Sequence, residues 1–180
     1  EGGWPKPPDA ASKALQRIGP RRRNILREHG MLVVRLPPRP HYKEGQFTWM
    51  VSPDHNDPRT TGATWYCDGS LIDGRWSAIR CSGFGLAAVA SDGGLVAYGL
   101  GWPPSWCDTA ASAEAWAMLT VLAHYPFVPP IRTDCQALLS TALAGNASAT
   151  HHDRPLARVW SMVTHIVGDD LSSIVNSGKL

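Results

Sequence analysis

The sequence predicts an α/β domain in which helices flank a mixed sheet of three antiparallel strands and a fourth, parallel strand. Three apolar segments in the middle of the chain are bounded by Asp-Gly and Gly-Gly pairs, which are typical of antiparallel hairpins. A long segment without Gly or Pro follows them and leads to another apolar segment. A helical crossover of this kind brings a chain into a strand parallel to its neighbour.

Each element has its own signal. Strand candidates are short apolar segments bounded by turn residues, and helix candidates are Ala- and Leu-rich segments bounded by Gly, Pro or a capping residue. Strands are predicted at 64–68, 82–90, 95–100 and 128–134. Helices are predicted at 109–124, with Asp108 or Thr109 as N-cap, at 136–144 and at 156–167, with a polar loop at 146–155.

Charge and proline content predict a basic, proline-rich N-terminal extension at 1–60 and a folded domain at 61–180. The extension has eleven Lys or Arg against six Asp or Glu, whereas the domain has six against nine. Short helices are predicted at 10–18 and 24–29 and a strand at 31–36. The three arginines at 21–23 are interpreted either as phosphate contacts or as a solvated charge run.

The four cysteines form no CxxC pair and show no zinc-site spacing, and no signal peptide precedes them. We therefore expect reduced thiols in an intracellular protein, with nucleus and cytoplasm both open. No apolar run approaches the roughly 20 residues of a membrane span, so we expect no membrane partner. No obligate protein partner is inferred.

Glu114 is the single charged residue of the fourteen at 110–123, and no Lys or Arg lies three or four residues away to pair with it. A helix this apolar is largely buried, and an ionised carboxylate there requires a cation from elsewhere in the fold. The alternative is an exposed position in the first turns, where the helix dipole favours an acid.

Asp68 and Asp134 each end a predicted strand. Alternation along the first strand places Tyr66 and Asp68 on one face and Cys67 on the other. Taken alone, Asp68 also fits a simple Asp-Gly turn, and Asp134 also fits an N-cap of the helix that follows.

These three acids lie in four short motifs that together resemble the ribonuclease H family, including the domains attached to reverse transcriptases. The resemblance covers about residues 64–168. The motifs occur in the family's order at familiar spacings, and they are YCDGS at 66–70, SGFGLAAV at 82–89, SAEAWAML at 112–119 and IRTDCQALL at 131–139.

The resemblance implies a metal-dependent endonuclease that hydrolyses the RNA strand of RNA–DNA hybrids. It implies that Asp68, Glu114 and Asp134 are the catalytic residues and bind two Mg²⁺ ions, or Mn²⁺ in their place. Selection for RNA would come from 2′-hydroxyl contacts. The implied substrate contacts are Gly69, Ser70 and Ser112.

The family usually has a fourth acid in a last helix, after a fifth strand. The chain reaches Leu180 before either could be completed and starts at Glu1, so we expect a C-terminally incomplete domain. A catalytically impaired, retroelement-derived nucleic-acid-binding module therefore stays open, as does a transposase- or integrase-like nuclease of the same fold. The exonucleases are disfavoured, because they place Asp-x-Glu where this chain has Asp-Gly-Ser at 68–70.

Two further groups have alternative interpretations. His151 and His152 precede the last predicted helix, and we interpret them as loop polarity. Trp102 and Trp106 could stack on bases, but tryptophans in such loops more often cover the edge of a core. Trp116 and Trp160 are predicted core residues of their helices.

Overall fold

The computed structural model describes residues 9–29, 45–72, 74, 80–125 and 127–180, and the chain divides into two compact units, 1–39 and 40–180. In the first unit, α1 spans Asp9–Arg17 and α2 spans Pro20–His29. The second helix starts earlier than predicted, at a proline, whose fixed φ suits a first helical turn. The predicted strand at 31–36 lies outside the described residues.

The second unit contains a five-stranded mixed sheet with the order β1-β4-β3-β2-β5. Strand β2 pairs antiparallel with β3 and parallel with β5, and the remaining pairs are antiparallel, which confirms the predicted mixed sheet. The strands are β1 (Phe47–Val51), β2 (Thr64–Ile72), β3 (Cys81–Val89), β4 (Leu95–Gly101) and β5 (Ile131–Arg132). The helices are α3 (Pro58–Thr61), α4 (Ala110–His124), α5 (Gln136–Leu143), α6 (Gly145–Ala149), α7 (Ala157–Val167) and α8 (Leu171–Asn176).

Strand β1 lies in the segment that the sequence assigned to the extension. It pairs with β4, from Phe47 opposite Gly101 to Val51 opposite Tyr98. The sheet therefore includes residues before position 61, the predicted domain boundary. This pairing joins segments about fifty residues apart in the chain, and local composition carries no signal of it.

Strands β2 and β5 differ in length from their predictions. Strand β2 continues through Asp68-Gly69 and pairs with β3 as far as Ile72 opposite Cys81, so Asp68 lies in mid-strand and not at the strand's end. Strand β5 has two residues instead of seven. Two prolines directly precede it, and proline supplies no N–H for a sheet hydrogen bond.

The helices follow the predicted order, with three additions. Thr109 is the N-cap of α4, as one of the two predicted alternatives. The predicted loop at 146–155 begins instead with the short helix α6, and α3 and α8 were not predicted. These three helices have four to six residues, too few to show a helical period in the sequence.

The two faces of β2 have different environments. Trp65 and Cys67 are buried and join the main hydrophobic core with α4, whereas Tyr66, Asp68 and Ser70 are exposed on the other face. The predicted alternation is therefore confirmed. Among the described residues, none of the helices has both the length and the hydrophobicity that crossing a bilayer requires.

Candidate active site

Asp68 and Asp134 belong to neighbouring parallel segments. Trp65 of β2 is in register with Ile131 of β5, and Tyr66 with Arg132. Two more residues along each segment lead to Asp68, within β2, and to Asp134, which follows the end of β5. Both carboxylates are exposed and line one cleft of about 470 Å³. The other residues that line this cleft are Tyr66, Cys67, Arg132 and Thr133.

Glu114 approaches the same place from helix α4. Glu114 is 5% exposed, which excludes the alternative that it lies on an exposed side of the first turns of the helix. Its Oε1 accepts a hydrogen bond from the hydroxyl of Thr133, and that hydroxyl accepts one from the backbone N–H of Cys135 at 3.1 Å. Glu114 is thus held by the turn that carries Asp134.

Gly69 brings β2 close to the first turns of α4. A Cβ added at this position would lie 2.6 Å from the carbonyl oxygen of Ala110 and 2.8 Å from the Cα of Glu114. Only glycine permits this approach, because any side chain would push the strand and the helix apart. The glycine therefore places the neighbouring Asp68 close to Glu114.

The pKa of Glu114 is raised above its ordinary value. Burial is the main cause, and the negative charges of Asp134 and Asp68 add to it, whereas hydrogen bonds from Thr133 and from the backbone of Cys135 act in the opposite direction. Both aspartates thus act on the charge of Glu114. Among the described residues, no Lys, Arg or His forms an ion pair with any of them.

The three acids form a set of oxygen donors, which is the ligand type that Mg²⁺ and Mn²⁺ prefer. Their ligand atoms do not all lie within 4.8 Å of one another. Oxygens on opposite sides of one Mg²⁺ are about 4.2 Å apart, so with the side chains as they stand a single ion does not reach all three.

Asp134 is not the N-cap of α5, which was its alternative role. The N-cap is Cys135, and its side chain makes no capping hydrogen bond. The carboxylate of Asp134 is therefore not used to cap this helix.

The three expected substrate contacts differ in exposure: Ser70 is exposed, Gly69 is partly buried and Ser112 is buried. Ser70 is exposed on the same face of β2 as Asp68. Ser112 is 3% exposed. Its hydroxyl accepts a hydrogen bond from the Thr109 N–H at 2.9 Å, which completes a capping box, and donates to the Thr109 carbonyl at 2.8 Å. The structure therefore gives Ser112 a helix-capping role and relates Gly69 to the close approach of α4, and contact of these residues with a substrate stays a prediction.

Thr133 is the site residue that sequence reasoning missed. Alternation along β5 supplies a signal for it: Ile131 is buried, so Thr133, two residues later, lies on the same side. That side holds α4 and Glu114, and a threonine there is placed to donate a hydrogen bond to the buried acid.

Three of the tryptophans considered above, Trp106, Trp116 and Trp160, pack against other side chains. Trp106 packs edge-on against Trp116, with ring centroids 5.5 Å apart, and Arg158 lies 4.4 Å from its ring centroid. Trp116 is partly buried against the core and Trp160 is fully buried. The core-edge interpretation of Trp106 therefore agrees with its surroundings.

A scan against protein-family models, a search of curated proteins and a search of solved structures each found no match to this chain.

Proposed function

We propose that this chain is a ribonuclease H-like, metal-dependent endonuclease that hydrolyses the RNA strand of RNA–DNA hybrids. The observation that carries the proposal is that Asp68 and Asp134 line one open cleft, with the buried Glu114 hydrogen-bonded to Thr133 in the turn that carries Asp134. The four sequence motifs occur in family order around these residues, and the mixed sheet is compatible with that fold.

The donor set fits two Mg²⁺ ions, with Mn²⁺ as a substitute. Asp68 and Asp134 would hold the ions from the cleft, and Glu114 would complete the set from the helix side. When bound, such ions activate a water and stabilise the departing 3′ oxygen. Burial is the main cause of the raised pKa of Glu114, and the negative charges of Asp134 and Asp68 that add to it also favour a bound cation over an empty site.

The chain's own residues orient this site. Thr133 fixes the position of the Glu114 carboxylate, and Gly69 sets the distance between β2 and α4. The cleft is open to solvent, so it can admit the backbone of a polymer. Ser70 lies on the same exposed face as Asp68 and is a candidate to contact a ribose 2′-hydroxyl, the group that distinguishes RNA from DNA.

The decisive experiment compares cleavage of labelled RNA–DNA hybrid, duplex RNA and duplex DNA by the whole chain, with Mg²⁺ and with Mn²⁺. Asp68→Asn and Asp134→Asn remove one proposed ligand each. Asp92→Asn is the matched control, because Asp92 is an exposed acid that pairs with Arg59 at 2.9 Å and does not line the cleft. We expect hybrid cleavage that both site variants lose and the control retains.

The other outcomes separate the alternatives. Cleavage that survives Asp68→Asn contradicts the assigned site. Binding of the hybrid without cleavage under any metal condition supports a nucleic-acid-binding module. Cleavage of duplex DNA in preference to the hybrid supports a transposase- or integrase-like nuclease.

A further inference from the structure

Three consecutive residues between α6 and α7 bring potential metal ligands together: His151, His152 and Asp153. One ligand atom from each lies within 4.8 Å of the other two. His151 Nδ1 is 3.7 Å from one carboxylate oxygen of Asp153, and His152 Nε2 is 3.2 Å from the other. The two imidazole rings have centroids 4.4 Å apart. Both rings thus converge on one carboxylate.

The backbone under this group is held in place. The N–H of Arg154 donates to the carbonyl of His151 at 2.9 Å, which closes a turn, and the Arg154 guanidinium donates to the Ser148 hydroxyl at 3.5 Å. The three ligand side chains remain 54%, 83% and 75% exposed. They can therefore rotate onto an ion without disturbing the core.

We propose that this turn is a binding site for Zn²⁺ or a similar divalent transition-metal ion. Two imidazole nitrogens and one carboxylate oxygen form a ligand set that Zn²⁺ accepts, with water in the remaining position. Ligand atoms on a tetrahedral Zn²⁺ are about 3.3 Å apart, as follows from bond lengths of about 2.0–2.1 Å. Side-chain rotation onto an ion would release the hydrogen bond that His151 Nδ1 accepts from the backbone N–H of Asp153 at 3.4 Å.

The site differs in chemistry from the three acids and does not rest on the proposed function. Mg²⁺ prefers oxygen ligands and an octahedral shell, so two imidazoles select against it. The acids offer no nitrogen. The His151–Asp153 group, which the sequence analysis interpreted as loop polarity, is therefore assigned a cation of its own.

Isothermal titration calorimetry of the whole chain without an affinity tag tests this site. ZnCl₂ and MgCl₂ are titrated separately, and we expect one Zn²⁺ bound per chain at this turn and no Mg²⁺ there. His152→Ala should weaken Zn²⁺ binding at least about tenfold, since it removes one of three ligands. His165→Ala is the matched control, because His165 is exposed on α7 outside the group, and it should leave the affinity unchanged.

A double Asp68→Asn, Asp134→Asn variant separates this proposal from the proposed nuclease site. Zn²⁺ affinity unchanged in the double variant and lost in His152→Ala supports the site at the turn. Zn²⁺-induced shifts of the His151 and His152 imidazole NMR signals, and not of His165, support it independently. Absence of saturable Zn²⁺ binding overturns the proposal, as does equal affinity in wild type and His152→Ala.

Discussion

Gly69 lies directly against Glu114: a Cβ added to the glycine would be 2.3 Å from the backbone nitrogen of the glutamate. That distance is too short for any real carbon. The contact joins β2, which carries Asp68, to α4, which carries Glu114. The absence of a side chain at position 69 thus determines how closely two proposed metal ligands approach.

Gly69→Ala should therefore destabilise the fold and separate the acids. The clash is with backbone atoms, which cannot rotate away, so we expect a loss of about 3 kcal/mol in the free energy of unfolding. Urea denaturation measures it.

Gly85→Ala is the matched control on the adjacent strand. An added Cβ there meets no atom within 4 Å, and alanine restricts the unfolded chain more than glycine does. Its stability should be equal to that of wild type or up to about 1 kcal/mol higher. Equal destabilisation by the two variants would contradict the close approach at Gly69.

Thr133→Val should weaken both the fold and the site. Valine has nearly the shape of threonine but cannot donate to Glu114 or accept from the N–H of Cys135. The loss of a hydrogen-bond partner by a buried carboxylate lowers the free energy of unfolding by about 1–3 kcal/mol. The pKa of Glu114 should also rise further, because the hydrogen bond favours the ionised form. Urea denaturation and the Mg²⁺ dependence of hybrid cleavage measure the two effects.

Thr133→Ser is the conservative comparison, because it keeps the hydroxyl. It should restore most of the stability and of the Mg²⁺ response. If serine behaves like valine, the hydroxyl is not the feature that matters at position 133.

The hairpins could be predicted because Asp-Gly and Gly-Gly pairs and period-two alternation are local signals. The same kind of signal led to the wrong prediction that Asp68 ends its strand. An Asp-Gly pair is equally compatible with a turn and with a strand in which the glycine lies against a helix. Which of the two it is depends on α4, more than forty residues further along the chain. The sequence therefore predicted the residue and the face it occupies, but not its mid-strand position.

Each of the three acids has only a weak signal of its own in the sequence, and they could be selected because together they lie in four motifs that resemble a known family. Their mutual placement could not be predicted from local pattern. It follows from the parallel register of β2 with β5 and from the contact of Glu114 with Thr133, both of which are long-range. The resemblance to a known family supplied the expectation that these residues meet.

Ser112→Ala should reduce stability without affecting substrate affinity. The hydroxyl of Ser112 accepts from the N–H of Thr109 in the capping box of α4, and losing such a hydrogen bond costs about 1 kcal/mol. KM for hybrid cleavage should stay at the wild-type value at a temperature where both proteins are folded. Ser70→Ala is the comparison, because Ser70 is exposed on the same face of β2 as Asp68. This substitution should raise KM, since it removes a proposed substrate contact.

The raised pKa of Glu114 predicts a specific dependence of stability on pH. Between the unperturbed value of 4.5 and the higher native value, the native state binds more protons than the unfolded chain. The contribution of Glu114 to the free energy of unfolding therefore falls as pH rises through this window and becomes constant above it. Glu114→Gln should remove this slope, as measured by urea denaturation from about pH 4.5 to about pH 8 without divalent metal.

Asp92→Asn serves as the control for that slope. Hydrogen bonds from Gly94 and Arg59 hold the pKa of Asp92 below its ordinary value, so its contribution to stability is lost only as pH falls below the window of Glu114. Saturating Mg²⁺ should flatten the pH slope of the wild type, because a bound cation favours the ionised carboxylate. The pH slope of Glu114→Gln should not change when Mg²⁺ is added. A slope that is the same in wild type and Glu114→Gln would mean that the pKa of this carboxyl is not raised in the native state.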